Sequence, residues 1–375
     1  MNPKSLVKYF IIWELIICVI VLVSPSLFSL RYTYLGGHEL ISKENPNPYK
    51  KNPLLYFRSN FDGFHYISIA RQGYGYAEQA FFPLYPNLIK SLNNLIKNFT
   101  TTGVIISSSA FLVSLYFLAK LIALDQKQGV AKWTILALLA FPVSFFFTSV
   151  YTEGLFFLFI ITSFYAARKK YWLLAGILGG LAAYTRLVGI FLFPCLLIEL
   201  WLQTRSVKKM IPLLFIPLGL GIFMTYLHQT TGDALAFIHV QKLFGQGRDE
   251  KIILPYQVFW RYLKMLVTVN RADPLYITIV GEAITGAIFF TLAIWSLFKQ
   301  RLSYSLFNLG CLVLPTLSGS FTSLSRYVLI CFPSFLLLGK WLSGRSNVQK
   351  TLYFVVSIAL MILYLSLFAR GYWVA

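Results

Sequence analysis

The chain has 375 residues, of which 57% are hydrophobic and only 12% are charged, and its formal net charge is +20. Soluble globular domains carry about 25% charged residues, so this composition excludes an ordinary soluble fold and predicts a chain that lies mostly inside a bilayer. The basic residues are spread in short clusters between apolar segments and do not form one patch, which argues against a nucleic-acid-binding domain.

About eleven segments are apolar and long enough to be predicted as transmembrane helices. They lie near residues 9–29, 103–124, 132–149, 152–167, 171–185, 187–203, 210–227, 275–298, 303–318, 327–342 and 351–369. The first apolar run exceeds the usual core of a signal peptide, so we predict that it is retained. Gly176 and Gly180 are four residues apart and predict close helix packing. We therefore predict an all-α, polytopic helical membrane protein with a single domain over residues 1–375.

The charges between the spans predict the orientation of the chain. Lysine and arginine recur in every second connection, beginning with Lys4 and Lys8, and this bias puts those connections and the N-terminus in the cytoplasm. The acidic residues of the other connections are Glu39, Glu44, Asp62, Glu78, Asp233, Asp249, Glu250 and Asp273. Both distributions predict two long extracytoplasmic loops, residues 30–102 and 228–273, where function concentrates.

The first loop contains Asp62 and His65, three residues apart. On a helix lying in the membrane interface, these side chains share one face, so a carboxylate and an imidazole would point at the same acceptor hydroxyl. An aspartate that caps a helix beside an interfacial histidine explains the same spacing.

Three more charged residues lie at predicted span edges on the same side. Glu153 begins the fourth span, where a carboxylate is either functional or a helix N-terminal residue. Arg186 occupies a tight outer turn against the positive-inside bias, so a phosphate or Glu153 should hold it. Arg326, beside Tyr327, opens the tenth span, and snorkelling to lipid headgroups is its alternative role.

Asp62, Glu153, Arg186 and Arg326 are far apart in sequence, yet the predicted topology puts all four at one membrane face. The chain has no glycine-rich phosphate loop and no pair of acids spaced as Asp-x-Asp. Carboxylates and guanidiniums at a membrane surface suit a lipid-linked phosphosugar. The carboxylate would deprotonate or orient the acceptor hydroxyl, and the cations would stabilise the departing lipid phosphate.

At these residues the sequence resembles the PIG-V-like mannosyltransferases, within the GT-C class of polyprenyl-phosphate-sugar-dependent glycosyltransferases. The similar blocks are Phe61–Tyr66 with Ile69–Ala70 and Gly73–Tyr74, Ala80–Pro86, Tyr151–Phe156, Thr185–Arg186 with Gly189, and Ser325–Tyr327 with Phe332–Pro333. The resemblance implies a GT-C-like fold, inverting transfer of mannose from a polyprenyl- or dolichyl-phosphate carrier, and Asp62 as the catalytic residue. The family usually has tryptophan before this aspartate; Phe61 keeps a ring but loses the indole donor.

The combined prediction is a membrane glycosyltransferase with Asp62 as its catalytic base. The predicted substrate-binding residues are His65, Glu153, Arg186, Arg326 and Tyr327. The predicted partners are a polyprenyl-phosphate-mannose donor, an unidentified acceptor and membrane lipids, without nucleic acid. No metal ligand set is predicted, and a divalent cation beside Asp62 is left open.

Two alternatives to the enzyme remain at this point. A lipid or sugar transporter or flippase without transfer chemistry would show inverted repeats and mid-membrane ionisable residues, and no repeat is visible. A scaffold subunit of a larger glycosylation complex is the other. For the location, the plasma membrane of a prokaryote is preferred and the endoplasmic reticulum membrane is the alternative.

Overall fold

The computed structural model describes residues 2–205, 207–245 and 252–374, so Asp249 and Glu250 lie outside the described residues. All regular secondary structure within these ranges is helical, which confirms the predicted all-α class. In chain order the helices are α1 (Pro3–Leu27), α2 (Pro48–Lys51), α3 (Pro53–Tyr56), α4 (Asp62–Gln72), α5 (Leu84–Ile96), α6 (Phe99–Ile122), α7 (Val130–Leu139), α8 (Glu153–Arg168), α9 (Trp172–Thr185), α10 (Leu192–Gln203), α11 (Phe215–Thr231), α12 (Ala236–His239), α13 (Pro255–Thr268), α14 (Pro274–Lys299), α15 (Leu302–Thr316), α16 (Leu324–Tyr327), α17 (Phe332–Ser343) and α18 (Asn347–Ala369).

Several helices are apolar enough to cross a bilayer, as expected of an integral membrane protein. Among the described residues, five segments are both long and apolar enough: Pro3–Leu27, Phe99–Ile122, Val207–Thr231, Leu275–Lys299 and Asn347–Ala369. The shorter apolar helices are Val130–Leu139, Trp172–Thr185, Leu187–Gln203 and Leu302–Thr316. The predicted count of eleven spans is therefore not confirmed, and the side that each connection faces stays a prediction.

Prolines explain why two predicted spans are not continuous helices. The segment predicted as a span over 132–149 ends its α-helix at Leu139, ahead of Pro142, and continues as the 3-10 helix Ser144–Thr148. Proline lacks the amide donor and disfavours helical geometry in the residue before it. The predicted span 327–342 is bent by 77° between Leu324–Ile330 and Phe332–Ser343, where Pro333 follows the break.

The described residues form two compact units. Unit 1 comprises Met1–Gly75, Tyr85–Leu155 and Leu338–Val374, and unit 2 comprises Tyr76–Leu84 and Phe156–Leu337. Within unit 1, α1 packs along α18, and α6 packs against α1 and α7. Within unit 2, α9 packs against α11, and α15 packs against both α10 and α14. The single-domain organisation stays a prediction.

Glycines allow α9 to approach its neighbours backbone to backbone in unit 2. A Cβ on Gly176 would lie 2.0 Å from the Pro212 carbonyl oxygen, and one on Gly180 would lie 2.5 Å from the Phe215 carbonyl oxygen. No side chain fits at these distances, so the close packing predicted from this glycine pair is confirmed.

The two long loops contain helices of their own. The first, over 30–102, holds α2 to α5, and the second holds α12 and α13. The helix predicted around Asp62 and His65 is present as α4 (Asp62–Gln72). Its position in the membrane interface stays a prediction.

Candidate functional site

Asp62 is the first residue of α4, in unit 1, and its side chain is half-buried. The positive end of the helix dipole favours a carboxylate at this position. The chain enters the helix through Phe61 at φ 53°, a strained conformation for an aromatic residue. Phe61 is held there because its amide donates to the Tyr34 carbonyl at 3.0 Å and its ring contacts Phe368 and Trp373.

Asn60, two residues before Asp62, is fully buried and bonded in three directions. Its side-chain oxygen accepts a hydrogen bond from the Gly36 amide at 2.8 Å, and its side-chain nitrogen donates to the Phe368 carbonyl at 2.9 Å. Its own carbonyl accepts from the Tyr151 hydroxyl at 2.8 Å. The approach to Asp62 is thereby fixed to three separate parts of unit 1. No feature of the sequence marked Asn60 as a site residue.

Arg58 joins the segment before Asp62 to the segment before Glu153. Arg58 is 6% exposed, and its guanidinium donates to the Thr148 hydroxyl at 2.6 Å and forms an ion pair with Glu14 at 2.6 Å. The Val150 amide donates to the Arg58 carbonyl at 2.8 Å. Arg58 thereby ties the segment before Asp62 to Thr148, to Val150 and to Glu14 on α1.

Glu153 is the first residue of α8, and its side chain is buried. The next residue, Gly154, lies directly against backbone: a Cβ there would be 2.4 Å from the Phe147 carbonyl oxygen and 2.6 Å from the Ser107 carbonyl oxygen. Only glycine fits without a backbone shift. The start of α8, and with it the Glu153 backbone, is therefore set by packing.

The buried Tyr85 hydroxyl lies near Glu153. The Tyr85 hydroxyl donates to the Gly103 carbonyl at 3.0 Å and lies 2.8 Å from the Ser107 hydroxyl. Burial raises the pKa of Tyr85, and the nearby Tyr66 and Glu153 raise it further, so Tyr85 stays a neutral hydroxyl at neutral pH. The Glu153 carboxylate thus lies within electrostatic range of the Tyr85 hydroxyl.

His65, half-buried on α4, has a second histidine in its vicinity. His38 packs against Phe64 with ring centroids 3.7 Å apart and the rings tilted by 33°. Burial lowers the pKa of His38 to about 4, and the charges of Arg71 and His65 lower it further. The His38 imidazole is therefore neutral at pH 7, and no spacing in the sequence pointed to it.

In unit 2, the structure brings Arg186, Arg326 and Tyr327 together. The Arg186 guanidinium carbon lies 5.0 Å from the centre of the Tyr327 ring, and the Arg326 guanidinium carbon lies 5.7 Å from it. Arg186 also lies 5.8 Å from the Phe156 ring centre, and Arg326 is only 6% exposed. Two guanidiniums converging on one ring provide several planar donors, which suits a phosphate.

The turn that carries Arg186 depends on a glycine three residues later. The Gly189 amide donates to the Arg186 carbonyl at 2.9 Å. A Cβ on Gly189 would lie 2.5 Å from backbone atoms of Ala182 and Ala183, so only glycine permits this turn. Arg186 itself follows directly after the end of α9.

The segment that carries Arg326 is held by Glu282, a carboxylate inside the apolar helix α14. Glu282 is 3% exposed, and it accepts from the Ser323 amide at 2.8 Å and from the Tyr262 hydroxyl at 2.6 Å. Arg261 donates to the Gly319 carbonyl at 2.6 Å in the same loop. Glu282 was not among the predicted site residues, although an acid within an apolar span is a signal that the sequence offers.

Six predicted site residues thus fall into two sets, one in each unit. Asp62, His65 and Glu153 belong to unit 1, and Arg186, Arg326 and Tyr327 belong to unit 2. Across residues 2–205, 207–245 and 252–374, no three His, Cys, Asp or Glu side chains are grouped so as to hold a metal ion.

Comparison with protein families supports the resemblance noted in the sequence. The model of the family described as mannosyltransferase (PIG-V) matches residues 3–198, just over half of the 375-residue chain. Asp62, His65, Glu153 and Arg186 lie inside this range, whereas Arg326 lies beyond it. Comparison with curated proteins and comparison with solved structures each gave no match. The chain belongs to the PIG-V mannosyltransferase family and is a membrane mannosyltransferase.

Proposed function

We propose that the protein transfers mannose, with inversion, from a polyprenyl-phosphate carrier to an acceptor hydroxyl. The observation that carries this proposal is the hydrogen-bonded pairing of residues 58–60 with residues 148–151. This pairing holds the segments that lead into Asp62 and Glu153, two carboxylates within the range that the family model matches. The transfer takes place at the extracytoplasmic face, with the N-terminus in the cytoplasm.

Asp62 acts as the general base in this proposal. The acceptor oxygen attacks C1 of mannose as its proton passes to the Asp62 carboxylate. The bond between C1 and the phosphate oxygen breaks at the same time, and the lipid phosphate leaves with the electron pair. One displacement of this kind inverts the sugar and needs no covalent intermediate. The half-exposed side chain at the helix N-terminus suits a carboxylate that is charged at the start of the reaction.

Arg186 and Arg326 bind the donor phosphate, and Tyr327 orients both guanidiniums. The leaving phosphate gains negative charge as the bond to C1 breaks, so cations already in place stabilise the transition state more than the ground state. Support for this role comes from the convergence of both guanidiniums on the Tyr327 ring. Glu153 and His65 position the acceptor.

The proposal is tested by sugar transfer from radiolabelled polyprenyl-phosphate-mannose to a panel of acceptors, using detergent-purified protein. Asp62→Asn should lower the rate by about 10²- to 10⁴-fold, the usual contribution of a general base, and should leave donor binding intact. Glu44→Gln, an exposed acid in the same loop, is the matched control and should retain full activity.

Two outcomes would overturn the proposal. Equal transfer by the wild type and Asp62→Asn would remove Asp62 from the mechanism. Binding of the donor without transfer to any acceptor, by a protein that moves the lipid across vesicle membranes, would establish the transporter alternative.

A further inference from the structure

A groove of about 690 Å³ runs along the outside of unit 1, between α7 and α18. Its walls are Trp133, Asn347, Lys350, Thr351, Phe354, Val355, Ile358, Ala359 and Ile362. From Lys350 to Ile362 the groove follows the helix for about 18 Å, at about 1.5 Å per residue. This length is close to one leaflet of a bilayer, which is about half of a hydrocarbon core of about 30 Å.

The positive charge lies at one end of the groove. The Lys350 ammonium is 4.7 Å from the centre of the Trp133 ring, and the Lys132 ammonium is 5.2 Å from it. Among the described residues, no carboxylate forms an ion pair with either lysine. Two ammonium groups from different helices therefore lie within about 5 Å of the Trp133 ring centre, at the end of the groove that Lys350 and Trp133 line. An anion bound beside this ring would be stabilised by both charges.

We propose that this groove binds an anionic diacyl phospholipid. One acyl chain lies along the apolar wall formed by Phe354, Ile358 and Ile362, and the phosphate lies at Lys132 and Lys350. The wall belongs to a helix long and apolar enough to cross a membrane, and charge is confined to one end. This head-to-tail polarity matches a lipid and not a protein partner. An anionic headgroup is preferred because a zwitterionic one already carries its own cation.

The test uses delipidated, full-length protein in detergent and measures lipid binding by native mass spectrometry. Dioleoyl phosphatidylglycerol and dioleoyl phosphatidylcholine are titrated separately. The wild type should bind phosphatidylglycerol more tightly. The double variant Lys132→Gln/Lys350→Gln should lower that preference about thirtyfold, which corresponds to about fivefold for each lysine near an anionic lipid.

Two further variants separate the parts of the proposed site. Lys208→Gln/Lys209→Gln removes the same charge from two exposed lysines of unit 2 and should leave the preference unchanged. Ala359→Trp fills the groove on an exposed helix face, keeps both lysines and should weaken the binding of both lipids.

Three results would overturn the inference. These are equal affinity of the wild type for both lipids, an equal loss in the two double variants, and displacement of phosphatidylglycerol by polyprenyl phosphate at equal concentration. The last would assign the groove to the donor lipid. Because the measurement involves no sugar transfer, its outcome is independent of the proposed function.

Discussion

Replacing Glu282 should loosen the segment that carries Arg326. The Glu282→Ala variant leaves the Ser323 amide and the Tyr262 hydroxyl without their shared carboxylate, which they contact at 2.8 Å and 2.6 Å. Each lost bond costs about 1–2 kcal/mol, between the values for membrane helices and those for buried unsatisfied groups. The free energy of unfolding should therefore fall by about 2–4 kcal/mol.

A milder pair of variants isolates one of the two bonds. Glu282→Gln keeps an oxygen for the Ser323 amide, and Tyr262→Phe removes only the hydroxyl, so each should cost less than about 2 kcal/mol. The double variant Glu282→Gln/Tyr262→Phe should cost less than the sum of the single variants, because both act on the same hydrogen bond.

The assay combines denaturant unfolding in mixed micelles with steady-state sugar transfer. A positioning role predicts that Glu282→Gln raises the KM for the donor more than it lowers kcat, because Arg326 is then held less well for the phosphate. Unchanged unfolding of Glu282→Ala, or additive costs in the double variant, would show that the Glu282 carboxylate does not hold the segment that carries Arg326 through these two bonds. Additivity would mean that Glu282 and Tyr262 do not share a bond.

Three further predictions concern packing, pH and phosphate binding. Gly154→Ala places a Cβ 2.4 Å from a backbone oxygen and should lower the free energy of unfolding by about 1–3 kcal/mol. The control Gly221→Ala, whose Cβ would have no atom within 4 Å, should not destabilise the protein. Equal melting temperatures of the two variants would contradict this. The pKa of His38 is about 4 in the fold against 6.5 in the unfolded chain, so the stability contribution of its neutral form is complete above pH 6.5 and is lost as pH falls toward 4. The full difference in pKa corresponds to about 3 kcal/mol, and solvent screening of the partly exposed ring reduces the expected loss to about 2 kcal/mol. The loss should be absent in His38→Phe, and identical pH-unfolding curves for this variant and the wild type would exclude it. Arg186→Lys keeps the charge but loses the planar guanidinium that lies 5.0 Å from the Tyr327 ring centre, so the donor KM should rise about tenfold with a smaller change in kcat. Wild-type kinetics would remove the guanidinium from donor binding.

Hydropathy and local spacing predicted the secondary structure, which depends mainly on residues that are close in sequence. A bilayer satisfies no backbone polar groups, so long apolar runs must be helical, and the all-helical class followed directly. Asp62 and His65 lie on one helix, α4, as their spacing predicted. The spans predicted over 132–149 and 327–342 are not continuous helices, because a hydropathy window does not detect the helix breaks near Pro142 and Pro333.

Composition and the order of the motifs are read directly from the sequence, so they sufficed to predict a helical membrane protein of the PIG-V mannosyltransferase family. The polar groups that hold the site residues depend instead on tertiary packing. Asn60 bonds to the Phe368 backbone across 308 residues, and Glu282 bonds to Ser323 across 41. Such partners are selected by burial, since a polar group removed from water must find a hydrogen bond wherever the packed chain supplies one.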